Sequence, residues 1–281
     1  MTHTRRHNPI RRAALLAALS VLGLAFLLPF VWMVTTSLKP LAETMSIPPR
    51  WLPSSVQWKN YPEAIAAMGH FWLYAGNTLF LCGLNVVGTV LSSALAAYGF
   101  SRVEWRGRDK VFLLLLATMM IPFPVIMVPV YSLFKSLGWI GTFQPLWVPA
   151  FLAGAFNVFL LRQFFLGLPR DISEAARIDG CGELRIFFTI ILPLAKPALL
   201  VVALFQFMAT WNDFLGPLIF LVNQDQFTLA LGLQSFQSQQ GGKPWNYLMA
   251  ASTLVVLPVL VLFFFTQRTF VQGIAATGGK N

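Results

Sequence analysis

Six stretches of about 20 residues run along this chain almost without charge, and nothing else limits its fold so severely. They lie between Arg12 and Lys39, from about Phe71 to Phe100, between Lys110 and Lys135, from Phe143 to Leu161, from Pro197 to Val222, and from Trp245 to Thr266. A helix needs about 20 apolar residues to cross a hydrocarbon layer about 30 Å thick. Only 11% of the 281 residues are charged, against about a quarter in a soluble domain. A globule of this length has too little interior to hide six such stretches. The sequence therefore predicts an all-α integral membrane protein, a single transmembrane domain over residues 1–281. Its six helices fall at about 13–35, 71–100, 111–134, 143–161, 197–222 and 245–266.

The first stretch follows a basic start, Arg5, Arg6, Arg11 and Arg12, as a signal peptide would. Its apolar run exceeds the 7–15 residues or so of a signal core and no A-x-A site follows, so it reads as a retained span. The net charge of +10 sits in short clusters between the spans and not along one face, which argues against nucleic acid and for orientation signals. Arg102, Arg106, Arg108 and Lys110, then Arg162, Arg170, Arg177, Arg185 and Lys196, then Arg268 and Lys280 fall on the side of the N-terminal cluster. Only Lys39, Arg50, Lys59, Lys135 and Lys243 fall opposite, so both termini are expected in the cytoplasm. The Pro- and Trp-rich outer loop from Lys39 to His70 is expected to form an ordered cap on the membrane surface. Pro122, Pro124, Pro129 and Pro217 are expected to mark kinks. Ser92, Ser93, Ala94, Ala96, Ala97 and Gly99 give the second span a small-residue face for close packing.

Catalytic signatures are missing. Gly242-Lys243 and Gly279-Lys280 are followed by Pro244 and Asn281, so neither makes a phosphate loop, and no G-x-S-x-G or H-E-x-x-H occurs. His3, His7 and His70 have no companions at metal spacing. Cys82 and Cys181 read as free thiols. No catalytic residue and no metal site is expected.

The informative stretch is the loop of residues 168–196, which begins LPRDISEAARIDGCGELRIFF. Asp171 with Glu174 three residues later reads as an Asp variant of the capping box. A helix over Ile172 to Asp179 follows, with Gly180 suited to a left-handed stop. Ala175 and Ala176 leave one side nearly flat, while Glu174, Arg177 and Asp179 supply charge. A second amphipathic stretch runs from Leu184 to Leu192. By shape alone the first helix is either an ordinary surface helix between spans or a rod made to lie in another protein's groove.

The motif itself distinguishes these. Glu174-Ala175-Ala176, then Asp179-Gly180, then Ile190-Ile191-Leu192-Pro193 resembles the coupling motif of permease subunits of binding-protein-dependent ATP-binding cassette importers. Cys181 stands where many relatives have Ala. Gly141 to Phe143, Arg162 to Phe165, Trp211 to Phe214 and Phe270 to Gly273 resemble the maltose-type group of sugar permeases, a branch shared with glycerol-phosphate permeases. The resemblance implies an importer permease fold with a cytoplasmic coupling helix, in a multi-pass chain of a bacterial or archaeal cytoplasmic membrane. It implies as partners a second similar permease subunit, two ATPase subunits holding ATP and magnesium, and an extracytoplasmic sugar-binding protein. In that setting Glu174, Ala175, Ala176, Arg177, Asp179 and Gly180 would contact an ATPase subunit, and the tail (267–281) would reach it through Gln272 and Gly273.

Asp213 lies about 24 Å along a helix counted from Pro197. An acid at that depth is a functional candidate. With Trp211 to stack on a sugar and Asn212 to bond hydroxyls, it marks a translocation path; equally, Asn212 and Asp213 cap a helix broken before Gly216-Pro217. Two rival readings of the whole are an ion-coupled secondary transporter, for which Asp213 is the lone acid, and a membrane scaffold with no path.

Overall fold

In a computed structural model, residues 9–239 and 244–278 are described. Arg5, Arg6, Lys243 and Lys280, counted above for orientation, lie outside them. Regular structure among the described residues is helical. In order the helices are α1 (Pro9–Ser37), α2 (Asn60–Met68), α3 (Phe71–Ser101), α4 (Arg108–Thr118), α5 (Phe123–Ser136), α6 (Gln144–Trp147) and α7 (Ala155–Gly167). Then come α8 (Asp171–Ile178), α9 (Glu183–Ile186), α10 (Leu192–Leu194), α11 (Lys196–Trp211), α12 (Leu215–Phe220), α13 (Leu229–Gln239) and α14 (Trp245–Gly278). Contacts divide the chain into two compact units, residues 1–69 with 235–257 and residues 70–234 with 258–281.

Among the described residues, four helical segments are long and apolar enough to cross a membrane, Arg12–Ser37, Phe71–Ser101, Gln144–Gly167 and Trp245–Gln267. Two bent pairs raise the number to as many as six. The expected third span is one of them: it breaks between α4 and α5 and turns by 96°. The cause is local. Pro122 takes an extended conformation, φ −71° and ψ 141°, before α5, and Pro124 occupies its first turn, where a missing N–H costs nothing. The expected fifth span also differs from a single helix over 197–222. It stops at Trp211, restarts at Leu215, and its start turns by 80° from the segment Glu183–Leu194.

In the first unit α1 is exposed from Arg12 to Val31, as an apolar helix in lipid would be, and its last turn is buried at Thr36 and Ser37. The chain that follows is tied down. Asn60 Nδ2 donates to the carbonyls of Ser37 at 2.7 Å and Lys39 at 3.0 Å, and Asn60 Oδ1 accepts from Asn246 at 3.1 Å. The Lys39 side chain is fully buried, with Nζ 4.0 Å above the Trp32 ring. Trp51 meets Trp32 edge-on at 5.2 Å.

In the second unit α3 is the axis, packed along α11, α7 and residues 148–152. Its small residues allow this. Ser93, Ala94 and Ala97 are fully buried, and Ser92 Oγ donates to the Ala150 carbonyl at 3.1 Å while accepting from Ala153 N at 3.2 Å. A side chain at Gly88 would come within 2.5 Å of the Phe151 ring, so glycine is what lets that ring lie against the helix. Val158, Leu161, Phe165, Ile186, Phe187 and Ile191 complete the core, and buried Cys82 and half-buried Cys181 are free thiols.

Candidate functional site

The segment 168–183 folds into a short, closed unit around α8. The helix begins at Asp171, one residue before the sequence-predicted start, and ends at Ile178. Asp171 is its first residue and makes no side-chain cap bond, so the expected capping box is not formed. The N–H groups of Ser173 and Glu174 instead bond the Arg170 carbonyl, and the two acids of the first turn face the positive end of the helix dipole. The other end closes as expected. Gly180 has φ +79°, its N–H donates to the Arg177 carbonyl at 3.0 Å, and Cys181 N–H donates to the Ala176 carbonyl at 2.9 Å. Those two bonds across a left-handed residue make a Schellman turn.

The two alanines do not share a face. Ala176 is buried with Ser173 against the rest of the unit, while Ala175 is exposed. Beside Ala175 on the exposed side lie Ile172 and Ile178, the latter 87% exposed, and Leu184 beyond the turn is 68% exposed. Apolar side chains so bare on a polar helix mark a contact surface. Their signal in the sequence is the recurrence of Ile172, Ala175 and Ile178 at helical spacing.

The helix is fastened by residues outside it. Arg102, just past the end of α3, donates through Nη2 to the carbonyls of Phe165 at 2.6 Å and Leu168 at 2.7 Å, and through Nη1 to that of Pro169 at 3.2 Å. These carbonyls lie at the end of α7 and in the lead into α8, and that of Phe165 also accepts from Leu168 N–H at 3.2 Å. In return Arg177 of α8 donates to the Arg102 carbonyl at 3.3 Å and to Glu183 at 2.7 Å. Glu183 also accepts the Tyr98 hydroxyl at 2.5 Å. The bond that Arg177 donates to Glu183 raises the Arg177 pKa above its ordinary value. Both ends of α8 thus connect to the end of α3. Arg102 was read above only as an orientation charge; the signal that it does more is its place directly behind a long uncharged helix.

Around the gap between α11 and α12, the three residues assigned to a path separate. Trp211 is 4% exposed and stacks on Phe207 at 5.3 Å. Asn212 Nδ2 bonds the Met208 carbonyl at 2.8 Å, closing the end of α11. Asp213 Oδ1 accepts from Gly216 N–H at 3.0 Å, so it organises the turn into α12. Asp213 also lines a cavity of about 240 Å³ together with Asn85, Gln206, Thr210 and Thr228. The structure thus gives Asp213 the capping contact and leaves it at the edge of a cavity of mixed lining, which Leu81, Leu146 and Pro217 share with the polar side chains. Gln272 and Gly273 fall in the last turns of α14, where the helix is described but side chains are not. Among the described residues no group of His, Cys, Asp and Glu is arranged to hold a metal ion.

The described residues thus join several helices apolar enough to cross a membrane to an exposed helix latched at the end of α3. Residues 88–276 match the family of binding-protein-dependent transport system inner membrane components, and the chain belongs to that family. The arabinooligosaccharides transport system permease protein AraQ of Halalkalibacterium halodurans is 34% identical over 278 residues, 98% of this chain and 99% of that protein. The trehalose/maltose transport system permease protein MalG of Thermococcus litoralis is 31% identical over 274 residues, 96% of this chain and 98% of that one. A solved bacterial ABC transporter involved in the import of the acidic polysaccharide alginate contains a chain with a TM-score of 0.82. It covers 95% of this chain and 99% of its own at 22% identity, a likeness of fold. The family and its relatives are multi-pass membrane permeases, not enzymes, and this one falls in the maltose-type group.

Proposed function

We propose that the chain is the permease subunit of an ATP-driven sugar importer, carrying an oligosaccharide, a monosaccharide or a related polyol across the cytoplasmic membrane by alternating access. The sugar class rests on relatives named for arabinooligosaccharides and for trehalose and maltose. The observation that carries the mechanism is α8 itself: a short helix closed by a Schellman turn, bare of apolar cover at Ile178, and latched to α3 through Arg102. A helix so placed takes force from outside and delivers it to the spans. The partners are a second similar permease subunit, two ATPase subunits that hold ATP and magnesium, and an extracytoplasmic sugar-binding protein.

In this reading the chain crosses the bilayer six times with both termini in the cytoplasm. The bent pair α4–α5 makes the third crossing. Helices α11 and α12 make the fifth, with residues 183–194 lying across its cytoplasmic end. Residues 39–70 rest on the outer surface, at the depth of Trp32, where amphipathic rings favour the interface.

Ile178 is expected to be the apolar anchor of α8 in the ATPase groove. Burying such a side chain is worth about 1.5–3 kcal/mol, so Ile178→Asp should weaken ATPase association in detergent by roughly tenfold or more. Cysteine at 178 should cross-link to the ATPase subunit in the assembled complex. Failure of both experiments in an otherwise intact assembly would remove the coupling role. At the other end of the path, Asp213→Asn keeps an oxygen for Gly216 N–H and should retain uptake, while Asp213→Ala loses the turn and should lower uptake about fivefold. Equal loss in both variants would instead assign the carboxylate charge to cargo or ion binding.

A further inference from the structure

A cavity of about 310 Å³ opens beside α8, between that helix and the end of α3. Two polar atoms there have no hydrogen-bond partner, Arg102 Nε and Ser173 Oγ. Both residues are more than nine-tenths buried, at 8% and 2% exposure. An orphaned donor in such a place costs stability unless something meets it.

The charges around the cavity indicate what that something is. The other nitrogens of Arg102 donate to peptide carbonyls, which are neutral, so no acid compensates its charge. Burial, then the nearby Arg170 and Arg177, lower its pKa from the ordinary guanidinium value. The surrounding acids are engaged or peripheral. Glu183 is held by Arg177 and Tyr98, Glu104 reaches Arg170 only at 3.9 Å with both side chains exposed, and Glu174 stands exposed on the first turn of α8. An anionic oxygen entering the cavity would meet the exposed Arg170 guanidinium directly, above the uncompensated Arg102 charge, and would reach the covered Arg102 N–H and Ser173 hydroxyl once the side chains over them shift.

We propose that this cavity receives a carboxylate side chain, aspartate or glutamate, from the ATPase subunit on which α8 seats. A partner side chain fits better than a free ion because Ser173, Glu174 and Arg177 of α8 form one wall of the cavity. Any surface that closes on the helix therefore closes the mouth as well. The inference rests on the reading of α8 as the ATPase-seating helix and adds to it a second, polar point of attachment.

The test uses the complete complex of permease subunits, ATPase and binding protein. Arg170→Glu leaves an exposed position that tolerates change and sets like charges against each other. It should weaken ATPase association by about tenfold or more. Arg106→Glu, an exposed position outside the cavity, should leave association unchanged. A reciprocal acid-to-lysine change in the ATPase subunit should restore association to Arg170→Glu. Normal association of Arg170→Glu, alongside detachment by Ile178→Asp, overturns the carboxylate contact and leaves the seating of α8 intact. Detachment by neither variant overturns both. Equal weakening by Arg106→Glu reduces the effect to general charge. A defect of Arg170→Glu that appears only when inorganic phosphate is added assigns the cavity to a free anion and overturns the proposal.

Discussion

Gly180→Asp should abolish ATP-driven uptake while the chain still inserts and accumulates in the membrane. In isolation the change is mild. A side chain at 180 meets nothing within 4 Å, and the cost is that of a non-glycine residue at φ +79°, about 1 kcal/mol. In the proposed assembly, the space into which it projects is the space through which an ATPase subunit would approach α8. An added carboxylate there obstructs the seating, and its charge lies at the negative end of the helix dipole. Uptake into proteoliposomes, with membrane content checked by immunoblot, separates the two effects. Glu174→Lys should behave alike, since it puts a cation at the positive end of α8 near Arg170 and Arg177. Normal uptake in both variants would end the coupling interpretation.

Arg102→Met should be nearly as damaging, by a different route. It strips hydrogen bonds from the Phe165, Leu168 and Pro169 carbonyls, and residue 102 then holds Arg177 through its main-chain carbonyl alone. Bonds to a charged donor are worth about 1.5–3 kcal/mol each, so the local loss is on the order of 3 kcal/mol or more. The expected result is a chain that inserts but whose loop 168–183 is cut by trypsin at Arg170 or Arg177 in inside-out vesicles, with uptake lost. Arg102→Lys should recover only part, because an ammonium lacks the planar fork that reaches three carbonyls. An uncut loop in Arg102→Met would show that the latch is dispensable.

The reach of the sequence was greatest where one local rule governs. Charge-free runs located α3 to within a residue, and Gly180 announced the left-handed stop of α8. Reading was poorer where two local signals compete. Asp171 and Glu174 spell a capping box, yet the chain after Pro169 is already helical at Arg170, which takes the cap position and leaves Asp171 inside. Proline counts suggested kinks in the third span, but Pro122 and Pro124 together produce a turn of 96° and not a bend. Least legible were the contacts joining distant segments. Nothing in the spacing of Arg102 and Phe165 says that they meet, because their meeting depends on how α3 packs along α7. The exposure of Ile178 was hidden for a related reason: an apolar residue on a short helix looks like core until the core has been built.

The length of α3 has a geometric consequence. At 31 residues and 1.5 Å per residue it is about 46 Å from end to end. Its close fit against α7, α11 and Phe151 leaves little room for flexing. A stiff beam pivoting near one tip magnifies small displacements: a tilt of about 10° at the Arg102 end sweeps the opposite tip through about 8 Å. In the proposed importer, a modest angular stroke delivered at a latch a few ångströms across would be enough to open or close an aperture at the other tip of α3.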